Sequence, residues 1–198
     1  MDEGMLSDLM AMVAMINTAL DASSESWRDQ LHAARSITAF LELFDTTPND
    51  ERRKWQLSVI DTFQRLAYAD ADSGGVQDIG NWCLRQSLSL LQTYPENVDL
   101  LKLVGTNWLL RAQKSLAKIH VTERDSSSSG ASQQSKSEEQ RHVSRATIEA
   151  EARLWTADYV EARGILLPAT DYLKRAVDAA RAQGLTTACL LTKVCEPH

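Results

Sequence analysis

Apolar residues recur along this chain at intervals of three and four, the spacing that gathers them on one side of an α-helix. Met5, Leu9, Met12, Val13, Ile16 and Leu20 make the first such stripe. Trp27, Leu31, Ala34, Ile37, Leu41 and Phe44 make the second, behind Ser26 and Asp29, which predict a capping box. After DTTPND, where Thr47 and Pro48 predict an N-cap and first turn, a third helix carries Trp55, Val59, Phe63 and Leu66. It stops at YADADSGG, a loop signal. The fourth, from about Ile79 to Tyr94, is apolar on two sides, with Ile79, Cys83, Leu90 and Tyr94 on one and Leu84, Leu88 and Leu91 on the other. Such a helix needs neighbours on both. Asn97 predicts the N-cap of a fifth helix with Leu101, Val104, Trp108 and Ala112 inward. No breaker follows before His120, so this helix either continues or bends near Gln113.

The period then lapses. Residues 122–141 have no apolar repeat and carry a serine tract, which predicts a disordered insertion. Thr122 precedes Glu123 and Asp125, and Ser135 and Ser137 precede Glu138 and Glu139, making these three candidate phosphorylation sites in an otherwise plain solvated linker. A helical pattern resumes through Ile148, Trp155 and Tyr159 to Gly164. Pro168 predicts the start of a new helix with Ala169, Tyr172, Leu173, Ala176, Val177 and Ala180 inward and Gly184 as C-cap. LTTACLLTKVCEPH predicts a short apolar terminal helix. The expectation is an all-α protein of about eight helices. A hairpin array spans 1–121, the insertion 122–141, and a further hairpin with the terminal helix 142–198. Five tryptophans (Trp27, Trp55, Trp82, Trp108 and Trp155) fall one per expected helix, each a large anchor.

Composition narrows the function classes. Gly (8) and Pro (4) are too scarce for the turn chemistry of an all-β fold. A net charge of −6 argues against nucleic acid or an anionic membrane surface as partner. The charge is uneven: residues 1–50 hold 9 acids and 2 bases. That acidic end is a solvated face or a means of steering a basic partner. All five methionines lie within the first 15 residues, an adaptable binding surface or, at helical spacing, plain core. Three cysteines without framework spacing, and an N-terminus carrying Asp2, Glu3 and Asp8, predict an intracellular, soluble protein.

Gly105 stands in mid-helix, where glycine costs about 1 kcal/mol relative to alanine. Its surroundings resemble the tetratricopeptide-repeat family, whose paired helices approach closely over a small residue. Pro95 and Asn97 match the turn between units, Leu101 and Val104 the inward pair, Gly105 the small contact and Trp108 the aromatic one turn on. Gly164, Ala169, Leu173 and Ala176 match the family's inter-helix glycine and its small, large and small packing residues. The resemblance implies antiparallel hairpins stacked as a short α-solenoid. Cys83 and Leu90 stand where the family prefers alanines, and an irregular helical bundle is the other architecture consistent with the pattern. Some members hold a partner's C-terminal carboxylate. Here Lys102 is followed four residues on by Thr106, and Asn107, one position later, is expected to face elsewhere.

Cys189, Cys195 and His198 lack zinc spacing and a fourth ligand, and no nucleophile elbow, phosphate loop or HExxH occurs. The sequence therefore points to no enzyme, cofactor or metal. It points to an interaction module binding a protein or peptide, with an obligate subunit or fragment of a larger helical complex as the alternative.

Overall fold

The computed structural model describes residues 2–22, 25–44, 49–127 and 151–185. Thr47, Pro48, Ser135, Ser137, Ile148, Cys189, Cys195, His198 and the expected terminal helix lie outside the described residues. Six helices are described: α1 (Glu3–Ala22), α2 (Trp27–Leu41), α3 (Asp50–Ala67), α4 (Gln77–Thr93), α5 (Val98–Ser127) and α6 (Ala157–Ala182). No strand occurs among the described residues.

Local chemistry sets most helix ends. Asn49, in extended conformation, accepts the Arg52 N–H at 2.7 Å and caps α3, the job expected of Thr47. Asn97 caps α5 by accepting from the Leu100 N–H at 3.0 Å. Gly184 takes φ +70° after α6, and the Leu185 N–H returns to the Ala180 carbonyl at 2.9 Å in a Schellman turn. The capping box expected at Ser26 does not form. Ser26 is itself in helical conformation, and its hydroxyl donates instead to the Ala19 carbonyl at 2.6 Å, tying α2 to the last turn of α1.

Three other expectations are corrected. Residues 122–127 belong to α5, a single helix of 30 residues, rather than to an insertion. The tyrosine hydroxyl of Tyr159 donates to the Glu123 carboxylate, holding that end of α5 against α6. Pro168 starts no helix; it lies inside α6, and Gly164 marks no turn. Proline removes one helical hydrogen bond and crowds the carbonyl four residues back. That carbonyl belongs to Gly164, which is solvent-exposed and has no side chain to restrict its tilt. Packing along α5 holds the rest of α6 in register. Finally, Trp155 anchors no helix: it sits in the turn before α6, 76% exposed, with Arg163 stacked 5.6 Å from its ring centroid.

The helices pack as consecutive antiparallel pairs. Arg53 stacks on Tyr94 and Phe63 lies 5.8 Å from Trp82, so α3 and α4 run in opposite directions. Gln183 donates to the Glu96 carbonyl while Tyr159 meets Glu123, which orients α6 against α5. Alternate helices run parallel: Arg35 and Glu42 of α2 pair with Asp78 and Arg85 of α4, each 43 residues on. Asp21 of α1 meets Arg65 of α3, 44 residues on, at 2.6 Å. The core gathers Leu9, Val13 and Ile16 of α1 with Ile37, Phe63, Leu66, Ile79, Leu100 and Leu101. Each such side chain contributes about 1.5–3 kcal/mol on burial. α1 is long and apolar enough, by length and composition alone, to cross a membrane, yet these three residues are buried within the fold.

The α5–α6 pair is the most extensive helix contact, and Gly105 lies within it. A Cβ built there would stand 2.7 Å from Leu173 Cγ and 3.1 Å from the Leu173 backbone nitrogen. No flexible tip can yield, so even alanine must push α6 away. Gly105→Ala is expected to destabilise by about 1–3 kcal/mol despite its better helix propensity, and Gly105→Leu by more. Urea midpoints of the two variants check this; an alanine variant as stable as the parent would mean that the helices separate freely there.

Candidate interaction site

Leu101, Val104, Ala169 and Ala176 are buried, and Gly105 meets Leu173 as described, so these residues share the α5–α6 side of the core. Trp108 is half-buried, with Arg111 stacked 5.4 Å from its ring centroid. Gly164 does not join them. It is exposed, and a Cβ there would touch nothing within 4 Å. Its role in α6 is backbone accommodation of Pro168, not helix contact. Thr122 is in regular helix, with its hydroxyl donating to the Lys118 carbonyl at 2.9 Å.

The residue passed over in the sequence is the centre of the polar interior. Asn107 has no exposed surface. Its amide nitrogen donates to Gln64 Oε1 at 3.0 Å and to the Gly80 carbonyl at 3.2 Å. Its oxygen accepts from Arg111 Nε at 2.8 Å and, at 3.4 Å, from the Tyr68 hydroxyl. Gln64 in turn donates to the Leu103 carbonyl at 3.2 Å, and Arg111 reaches Asn81 at 2.6 Å. One side chain thus ties α3, α4 and α5 together. Gly80 makes room for the tyrosine: a Cβ there would lie 2.8 Å from the Tyr68 hydroxyl. Burial pushes the Tyr68 phenol above its ordinary range, opposed by the positive charge of Arg111. Burial likewise pushes the Cys83 thiol far up, so it is a neutral packing group and not a nucleophile.

The sequence signal for this centre was present but faint. Asn107, Gln64 and Tyr68 are polar residues within otherwise apolar stripes, a pattern shared by many exposed positions. Only the fold shows that the three stripes converge.

Two concavities flank the core. One, about 300 Å³ and open to solvent, lies among α2, α3 and α4, bounded by Leu41, Trp55, Val59, Trp82, Gln86 and Leu90. The buried Trp82 indole N–H has no hydrogen-bond partner among the described residues. The other, about 360 Å³, lies between the end of α5 and the start of α6, with Glu123, Arg153, Asp158 and Tyr159 around it. Its mixed charges include a Lys118–Asp158 approach at 3.9 Å. No group of three or more His, Cys, Asp or Glu side chains converges as a metal site among the described residues.

The larger feature is the outer surface of the array's last described helix. Trp155, Val160 and Leu167, the last 65% exposed, leave an apolar strip along the first half of α6. Neither a protein family, nor a curated protein, nor a solved structure matches this chain.

Asn107→Leu keeps the approximate shape but strands Gln64 Oε1 and Arg111 Nε. An unsatisfied buried polar group costs about 1–3 kcal/mol, so a loss of at least that size is expected in chemical denaturation. Tyr68→Phe removes only the long hydrogen bond and a titrating group. Because the folded pKa of Tyr68 is raised, its stabilising contribution is complete below the unfolded value of about 10 and fades as pH rises beyond it. The phenylalanine variant is therefore expected to lose less stability than the parent between pH 9 and about 12, as followed by circular dichroism at fixed urea.

Proposed function

We propose that the chain is a protein-interaction module of the stacked-hairpin kind, carrying its partner surface on the outside of the array. The stacking is supported by register: the side-chain pairs Arg35–Asp78, Glu42–Arg85 and Gln64–Asn107 all link residues 43 apart, and Asp21–Arg65 residues 44 apart. Parallel alternate helices held at one repeated offset are what a solenoid of helical pairs requires. The offset exceeds the unit of about 34 residues of tetratricopeptide arrays and falls within the span of about 40–47 of larger helical repeats. The relation to tetratricopeptide proteins is thus one of packing logic, the close contact over Gly105.

The observation that carries the interaction reading is the apolar strip on α6. Val160 and Leu167, exposed two turns apart on one face of α6 with Trp155 before it, supply large apolar groups of the kind that contact surfaces use. Trp155 is held by Arg163, whose guanidinium also donates to the Leu154 carbonyl at 2.8 Å, so the strip is presented in an ordered form. Ordered aromatic groups of this kind are typical interface anchors.

The test compares the tagged chain with Val160→Glu/Leu167→Glu, two exposed positions whose exchange leaves the core intact. A specific co-purifying protein recovered with the parent and lost with the variant is the expected outcome. Light scattering after size exclusion addresses the alternative. A monomer that is soluble alone favours a module, whereas a chain stable only with another subunit favours an obligate component. Equal recovery with both proteins would remove α6 from consideration.

A further inference from the structure

α1 packs on one side only. Leu9, Val13 and Ile16 face the core, while Gly4, Asp8, Ala11, Met15, Thr18 and Ala22 line the opposite side and are exposed. Met15 is 64% exposed and Met12, at the edge of this side, 40%. The small residues let another helix axis come close, and the methionines conform to whatever side chains it brings. The face also has a charge of one sign. α1 contains no Lys, Arg or His. Asp2 accepts the Met5 N–H at 2.8 Å and Asp21 pairs with Arg65, but Glu3 and Asp8 have no basic partner among the described residues. Asp8 stands on this face one turn from Ala11, where a covering surface must supply a cation or bury a carboxylate unpaired.

That charge selects among occupants. A second copy of this chain would set α1 against α1 and bring acids towards acids. An anionic bilayer would be repelled in the same way. A helix with an apolar stripe flanked by Lys or Arg would satisfy both the methionine surface and Asp8. We propose that the outer face of α1 is a docking site for a basic amphipathic helix of a partner protein. The proposal rests on the interaction reading above but on a different surface, remote from the strip on α6.

All five methionines of the chain lie in residues 1–15 and four of them, Met5, Met10, Met12 and Met15, in α1, so carbon-13 methyl labelling of methionine reports on α1 with Met1 as the one further signal. The probe is a synthetic 18-residue amphipathic helix of leucine and lysine, titrated into the full chain. Its counterpart with glutamate for lysine, and zwitterionic phosphatidylcholine vesicles, are the controls. The expected result is saturable shifts of the Met12 and Met15 methyl signals with the lysine peptide alone. Asp8→Lys and Met15→Glu should each weaken that binding at least tenfold while leaving the melting temperature unchanged.

Equal shifts with the glutamate peptide, or binding that leaves the methionine signals in place, would overturn the proposal. Shifts with vesicles and none with peptide would make the face a membrane contact. Shifts that grow with protein concentration alone would make it a self-association surface. Any of these results leaves the α6 experiment unaffected, so failure here is separable from failure of the interaction reading.

Discussion

The hydrogen bonds of Asn107 are the constraint on which the arrangement of α3, α4 and α5 depends. Apolar packing tolerates sliding, because one leucine in a groove is much like its neighbour one turn away. A buried amide does not. Asn107 must find acceptors for two N–H bonds and donors for its oxygen, and it finds them on Gln64, Gly80, Arg111 and Tyr68. Shifting α5 by one turn along α3 would strand several of these groups together, each in surroundings where an unpaired dipole is expensive. The network therefore fixes register, while the leucines and phenylalanine around it supply most of the favourable free energy.

The exposed ion pairs repeat the same offset at lower energy. Arg35 sits 2.6 Å from Asp78, and this contact holds the Asp78 carboxyl below its usual range. Both groups are about half exposed, so solvent screening keeps the contribution of such a pair small. Its significance is geometric. Pairs at the surface between α2 and α4 are 43 residues apart and those in the interior between α3 and α5 are 39 and 43 apart, so alternate helices run parallel in both places.

Much of this was legible in the sequence wherever a residue broke a local rule at a local cost. Gly105 is a poor helix residue in a strong helix, which signals a close contact, and the structure places Leu173 against it. The caps at Asn97 and Gly184 follow from chemistry within a few residues. What could not be read depends on distant partners. Pro168 carries the same local signal as a helix start, and only the length of α5 beside it keeps α6 continuous. Ser26 had the spacing of a capping box but found the Ala19 carbonyl first. Asn107 was set aside because its position failed a pattern for carboxylate binding, although that same position turns it inward. The even spacing of the tryptophans likewise does not predict the exposure of Trp155, which falls in the turn between helical residues 151–153 and α6.

Pro168 also divides α6 into two surfaces. C-terminal to it the exposed positions are Thr170, Asp171, Lys174, Arg175 and Asp178, a polar face of the kind that ends a helical array in water. N-terminal to it they are Ala157, Val160, Glu161, Arg163, Gly164 and Leu167, preceded by Leu154 and Trp155 in the turn before the helix. A helix that closed the array simply as a solvent cap would be polar along its whole length. One that continued the array into a further hairpin would be apolar along its whole length. The first half of α6, where Val160 and Leu167 stand exposed among Glu161 and Arg163, fits neither. On the interaction reading proposed above, these exposed apolar residues form a site bordered by charge rather than an unfinished core.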